Sequence, residues 1–483
     1  MADGRLCKNY GEGEWKMKRK KIRLETLTFY DHTAIAAHLE KMAARGWMIE
    51  RIANFGWIYR KIEPTRLHFA VSYYPKASEF DPEPSEAQKT FLDFCAHSGW
   101  TLACTSAQMQ IFYNNRENAV PIETDPVLEL ETIHRSCKRT FFPAQAVLLI
   151  LGLLMGTFFI INLIADPIDI LASYNQFVTG CCWLMVIIGT TAEFITYFRW
   201  RKRAAMAAEQ GVFLESIGTS KLQKAILIIL AVLLGYYAVN IIFSSDPLMK
   251  FVAVCMGLYI IVLYVGVDGA KQLMKRWKFA TGTNRVLTFV VSFVLSFALV
   301  SGIIMLTFKL SDSGILNDSG EVRRTGISFS ADSDEIPLRV EDLQAVSYDE
   351  YINRLSINES VFLARYEMLQ FPDFDSAHFA ELPSMEYEIV QVKMPWLYKT
   401  CKNTMFDKLD DSDELTEYDD FAKVLRPEDA APWGAKNVYR QHYLDGSIVN
   451  RYLLCYEDRI VSITFDWEVT DAQKQIVGEK IGR

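Results

Sequence analysis

Hydrophobic positions along this chain gather into one central block between two mixed flanks. The block holds five apolar runs, at residues 141–165, 174–198, 222–243, 248–267 and 286–308. Each supplies the roughly 20 apolar residues a helix needs to cross about 30 Å of hydrocarbon. The fourth run is the shortest, and a tight Ser244-Ser245-Asp246-Pro247 turn links it to the third, so a re-entrant hairpin is the alternative there. Glu193 interrupts the block about a turn and a half before Arg199, close enough for its carboxylate to snorkel to the interface. Asn162 and Asn240 read as helix-packing amides. The pattern predicts a multi-pass α-helical membrane protein with a soluble α+β domain on each flank.

In the N-terminal flank one pattern is written twice. Leu39, Met42, Ala43, Gly46, Trp47, Ile49 and Ile58 recur 53 residues later as Leu92, Cys95, Ala96, Gly99, Trp100, Leu102 and Ile111, and Tyr59 is answered by Phe112. Apolar positions at i, i+3 and i+4 predict a helix, the Gly its stop, and the Trp the start of the first of two strands. Ser85 and Gln88 have the spacing of a capping box for the second helix. A strand is expected before each helix, at 22–30 and at 67–74, where Leu67, Phe69, Val71 and Tyr73 alternate. Residues 17–130 are thus expected to form a duplicated strand-helix-strand-strand unit with one antiparallel sheet and both helices on one face. GyrI-like ligand-binding domains share that order and carry a cleft across the pseudo-twofold. By analogy Trp47, Tyr59, Trp100 and Phe112 are candidate cleft residues; the plainer reading makes them core aromatics locking helix to sheet. Residues 1–16 look unlike the rest, since Gly11 to Trp15 is what a translated ribosome-binding site would encode. The start is expected at Met17, with 1–16 a disordered leader.

The segment Leu39 to Trp47 (Leu-x-x-Met-Ala-x-x-Gly-Trp), the strand at Ile58-Tyr59 and the ending Tyr73-Tyr74-Pro75 resemble the bacterial domain of unknown function 2812. The resemblance covers roughly residues 17–130 and implies a membrane protein of Bacillota-type bacteria, with a PadR-like transcription regulator as a possible cytoplasmic partner. It assigns no functional residues.

In the C-terminal flank, a polar linker at 311–340 precedes a domain at 341–483. Strands are expected at 360–369, 386–393, 438–444, 447–456 and 459–467, with Asp445-Gly446 as a hairpin turn. Helices are expected from Pro395 through Phe406 and over 471–481, giving an α+β domain with an antiparallel sheet. Its only cysteines, Cys401 and Cys455, are a disulfide candidate in a non-reducing space, or else two core thiols. The acidic run 407–420 lacks the alternating ligands and central Gly of a calcium loop and reads as a solvated loop.

Charge then orients the chain. Lys138, Arg139, Arg199, Arg201, Lys202, Arg203, Lys221, Lys224, Lys271, Lys275, Arg276, Lys278 and Arg285 flank the runs on one side, against Lys250 and Lys309 on the other. The positive-inside rule places the N-terminus in the cytoplasm and the C-terminal domain outside the cell membrane. No cleavable signal is apparent, so the first span is expected to direct insertion. From Leu310 onward 34 acidic residues outnumber 18 basic ones, which argues against direct nucleic-acid binding.

No metalloprotease, phosphate-loop or nucleophile-elbow motif is present, and His134 with Cys137 lacks the second pair a zinc site needs. Neither an enzyme activity nor a cofactor or metal is expected, with a membrane-tethered hydrolase whose pocket lies in the outer domain as the rival reading. The reading is a transmembrane sensor or regulatory protein in the lipid bilayer, joining an extracytoplasmic domain to a cytoplasmic domain that binds a ligand or regulator. The alternative is an accessory subunit of a membrane transport complex, with other membrane proteins as partners.

Overall fold

The structure is a computed structural model that describes residues 20–25, 27–53, 56–116, 119–215, 220–243, 247–313, 336–347, 350–373, 381–410 and 422–482. The leader 1–16, most of the linker and the stretch 411–420 of the acidic run lie outside them. The chain forms two compact units, Met1–Leu149 with Ile188–Ile228 and Val265–Phe293, and Ile150–Ile187 with Ile229–Tyr264 and Val294–Arg483.

The first unit begins with β1 (Lys20–Arg23), α1 (His32–Ala44), β2 (Trp47–Ala53) and β3 (Gly56–Lys61). It continues with β4 (His68–Tyr73), α2 (Glu86–His97), β5 (Thr101–Ser106), β6 (Met109–Asn114) and α3 (Pro126–Arg139). Two three-stranded antiparallel sheets result, ordered β1-β3-β2 and β4-β6-β5, rather than the single sheet expected. β3 and β6 lie 53 residues apart at both ends. The bulges between Ile49 and Arg51 and between Leu102 and Cys104 keep the same interval. Each bulge lies in a strand pairing of its own sheet, β2 with β3 and β5 with β6. β1 ends at Arg23, short of the expected Tyr30, because a turn from Thr28 to Asp31 opens α1 and turns Tyr30 into the core. Ser85 caps α2 by accepting from the Gln88 backbone N–H. α3, which hydrophobic periodicity alone does not announce, starts on an Asp125 cap with Pro126 in the first turn. Ile133 and Cys137 of α3 are buried, so this domain extends beyond residue 130.

Five helices among the described residues are long and apolar enough to cross a bilayer. They belong to α4 (Phe141–Ala165), α6 (Tyr174–Ala208), α7 (Ser220–Phe243), α8 (Pro247–Arg276) and α9 (Thr281–Asp312), with the short α5 (Pro167–Ala172) between the first two. Four of these helices, α6 to α9, outrun their apolar runs. In α6 the extension has a purpose: Trp200, Ala204 and Ala208, four residues apart on one face, are buried. Glu193 does not snorkel; it is buried and accepts a hydrogen bond from the Gln223 amide of α7. Asn162 donates to Phe158 O of its own helix rather than to a neighbour, and the Asn240 side chain is outside the described set.

The second unit carries β7 (Tyr351–Glu359), β8 (Leu363–Pro372), β9 (Met385–Val392), α10 (Tyr398–Asp407), β10 (Lys423–Glu428), β11 (Asn437–Tyr443), β12 (Ile448–Cys455), β13 (Arg459–Phe465) and α11 (Asp471–Ile481). Its seven strands form one antiparallel sheet ordered β10-β11-β12-β13-β9-β8-β7. Gly446 turns the β11–β12 hairpin with φ +90°. One face packs with Trp433, Val477 and Ile481. Ile336, Leu338 and Val340 join that core, so the domain begins at or before residue 336 and not at 341. The other face packs with Leu397, Cys401 and Met405 and with Ile168, Leu171 and Ala172 of α5.

Candidate functional site

The four candidate cleft aromatics are distributed over two cores. Tyr59 is fully buried in the larger one, where its hydroxyl donates to Glu25 Oε1 (3.3 Å) and lies 3.2 Å from His38 Nε2. Arg23 and His38 both reach that carboxylate, at 3.3 and 3.1 Å. Burial raises the Tyr59 phenol and depresses the His38 imidazole, so the group is a buried polar knot rather than an open site. Trp100 and Phe112 share a smaller core beneath α2, and Trp100 Nε1 donates to Val120 O at 2.8 Å. Trp47 is half-buried, with Lys21 Nζ 5.2 Å above its ring.

What the structure does build is a set of junctions between soluble domain and helix block. In the first unit the domain core runs into the helices. Tyr30 stacks on Trp200 at 5.5 Å and meets Tyr197 and Phe141 edge-on at 5.0 and 5.6 Å. His134 Nδ1 lies 2.8 Å from the Tyr197 hydroxyl, which gives the histidine a local role unrelated to metal. Glu129 on α3 faces His32 Nε2 at 3.4 Å. Burial, helped by the Glu123 carboxylate, lifts Glu129 to about 7, and burial depresses His32. Both shifts disfavour the doubly charged pair that their 3.4 Å separation would otherwise favour.

A second junction uses a difference between the sequence repeats. Eight residues connect β1 to α1, but twelve, residues 74–85, connect β4 to α2. The longer loop reaches the α8–α9 turn. Asn284 Nδ2, fully buried, donates to Phe80 O at 3.0 Å, and Thr281 Oγ1 donates to Asp81 at 2.6 Å. Lys271 pairs with Glu79 at 3.3 Å, Lys278 pairs with Glu83 at 2.8 Å, and Arg285 lies over the Phe80 ring. Several of the lysines and arginines counted for orientation thus hold the loop.

In the second unit the junction is at Arg365. Glu367 of β8 stands directly opposite Glu388 of β9, a destabilising pair of like charges. Arg365 resolves it, with Nε on Glu388 and Nη2 on Glu367, both at 2.6 Å, and Nη1 on Asp169 of α5 at 3.2 Å. Lys408 adds a 2.7 Å bond to Asp166. Beyond this cluster the same sheet face is an open groove of about 450 Å³, lined by Arg354, Glu367, Glu386, Glu388, Arg451 and Thr464 among others. Cys401 and Cys455 are free, buried thiols in one apolar cluster, and burial pushes Cys401 up to about 11. Among the described residues no group of three or more His, Cys, Asp or Glu could hold a metal ion. Sequence reasoning did not find these junctions. The Asp81 and Arg365 contacts join residues nearly 200 positions apart, 200 and 196 respectively, and no local spacing announces that.

Residues 32–144, from α1 to the first turn of α4, match the family model described as Protein of unknown function (DUF2812). The N-terminal α+β region is therefore a domain of that family. No curated protein and no solved structure matches the chain.

Proposed function

We propose that this is a multi-pass membrane protein that acts as a transmembrane sensor or regulator. Its seven-stranded domain meets an extracytoplasmic stimulus, and its N-terminal domain, a duplicated unit, binds a cytoplasmic ligand or regulator. The observation that carries the reading is that each soluble domain grips a connection between candidate spans, the α8–α9 turn in one unit and α5 in the other. Load on either connection bears directly on the helices, which is the physical requirement for coupling two sites through a two-state element. The basic residues bordering the spans support the two-sided arrangement.

Copurification from the host followed by mass spectrometry tests it. A cytoplasmic regulator recovered with the full chain, in an amount that changes in the Arg365→Ala or Asn284→Ala variant, supports the proposal. Stoichiometric recovery of transport subunits, insensitive to both variants, favours an accessory-subunit role instead.

A further inference from the structure

Two loops of the seven-stranded domain meet beside the ends of α4 and α6. The loop before β8 (residues 360–362) and the one after β9 (393–397) are joined by Lys393 N–H donating to Phe362 O at 3.0 Å. Each sends one residue inward. Phe362 and Leu397 enter the apolar cluster that also holds Leu163 in the last turn of α4 and Phe177 in the first turn of α6. Phe362 meets Phe177 edge-on at 4.9 Å. Each loop also leaves large apolar side chains outside: Val361 is 59% exposed, Met394 37% and Trp396 70%.

A rise of about 1.5 Å per residue puts Phe177 only about 5 Å inside the start of α6. The two loops therefore sit at the level where that candidate span leaves hydrocarbon. Tyr174, the first residue of α6, pairs with Tyr236 of α7 at a ring distance of 4.4 Å, as aromatic side chains do in an interfacial belt. Lys393, beside Met394 in the chain, is turned back onto Glu359 and Ser360 O. We infer that Val361, Met394 and Trp396 form a lipid-contacting patch that seats the seven-stranded domain on the bilayer surface at the boundary of headgroups and acyl chains. Trp396 suits that depth, with an apolar ring and one N–H for the wet side. The inference rests on the membrane-spanning reading.

The experiment uses the full chain reconstituted into phosphatidylcholine–phosphatidylglycerol vesicles containing lipids brominated either near the headgroup end of the acyl chain or near its tip. The emission of Trp396 is taken as the difference between wild type and Trp396→Phe. That of Trp183, nine residues into α6, is taken likewise from Trp183→Phe. The expected result is a blue-shifted Trp396 component quenched more by shallow than by deep bromine, with Trp183 quenched at least as well by deep bromine. A Val361→Trp substitution in the Trp396→Phe background should restore a shallow-quenched component. Loss of Trp396 emission to aqueous iodide but not to brominated lipid, with Trp183 still quenched by lipid, overturns the patch and leaves the spanning reading intact. A Trp396 shielded from both quenchers also overturns it, in favour of a protein partner there. If neither tryptophan feels brominated lipid, the spanning reading falls and the patch with it.

Discussion

Single residues in this chain carry different burdens even where the sequence repeats. Gly46 and Gly99 both end a helix with positive φ, +81° and +88°. A Cβ on Gly46 would meet Ile62 O at 2.9 Å, whereas the nearest atom to a Cβ on Gly99 is a side-chain amide at 3.5 Å. Both pay for left-handed backbone on substitution, but only Gly46 also abuts main chain. Gly46→Ala should therefore cost about 2 kcal/mol or more and Gly99→Ala about 1, read as thermal unfolding of the purified protein. Equal losses would mean that the approach to Ile62 is relieved at no cost. Glu129 offers a pH test. Its folded value of about 7 lies above the ordinary 4.5, so the fold prefers the protonated carboxyl. Its stabilising contribution is whole at low pH and declines as pH rises from about 4.5 to about 7, then levels. The span is on the order of 3 kcal/mol, and Glu129→Gln should flatten that part of the stability–pH profile. An unchanged slope in the variant would place the titration elsewhere.

Among elements, legibility followed burial pattern. The helix at 471–481 and the Asp445-Gly446 hairpin were readable because their signals are local, and the structure adds a Thr470–Gln473 capping box to the first and a positive-φ glycine to the second. The two strands absent from the sequence reading, β7 and β10, are the two edges of the seven-stranded sheet. In β7 only Tyr351 and Leu355 are buried, and β10 contains Pro427, so neither shows the alternation of a half-buried strand. α5 escaped because six residues are too few for a periodicity, although Ile168, Ile170 and Leu171 are all buried. Of the four aromatics read either as cleft residues or as core aromatics, Tyr59, Trp100 and Phe112 are core members and Trp47 packs against one core, because hydrophobicity alone does not separate the two roles. The Arg365 junction is testable at this scale. Arg365→Ala removes the guanidinium that Glu367 and Glu388 share, and because Glu367 is 44% exposed and screened by water the expected loss is about 1–2 kcal/mol in the seven-stranded domain. Adding Glu367→Gln and Glu388→Gln should recover much of that loss. Hydrogen exchange across β8 and β9 reports both, and a triple variant as labile as the single one would show that the charges are not the cause.

At the scale of the whole molecule, apolar run length located the five long apolar helices found among the described residues. It did so because runs of that length and apolarity carry their signal locally, whatever the helices later pack against. The division between the two compact units falls inside each of α4, α6, α7, α8 and α9. Every one of those helices therefore gives residues to both units. The proposed orientation, with the N-terminal unit toward the cytoplasm, rests on charge, namely the lysines and arginines around residues 138–139, 199–203 and 271–285. The most direct measurement is a pair of compartment reporters fused to the full chain, one at each end, each as a fluorescent protein active in the cytoplasm and as a phosphatase active outside. The expected result is fluorescence from the N-terminal fusion and phosphatase activity from the C-terminal one. Both reporters active in the same compartment would contradict the two-sided account.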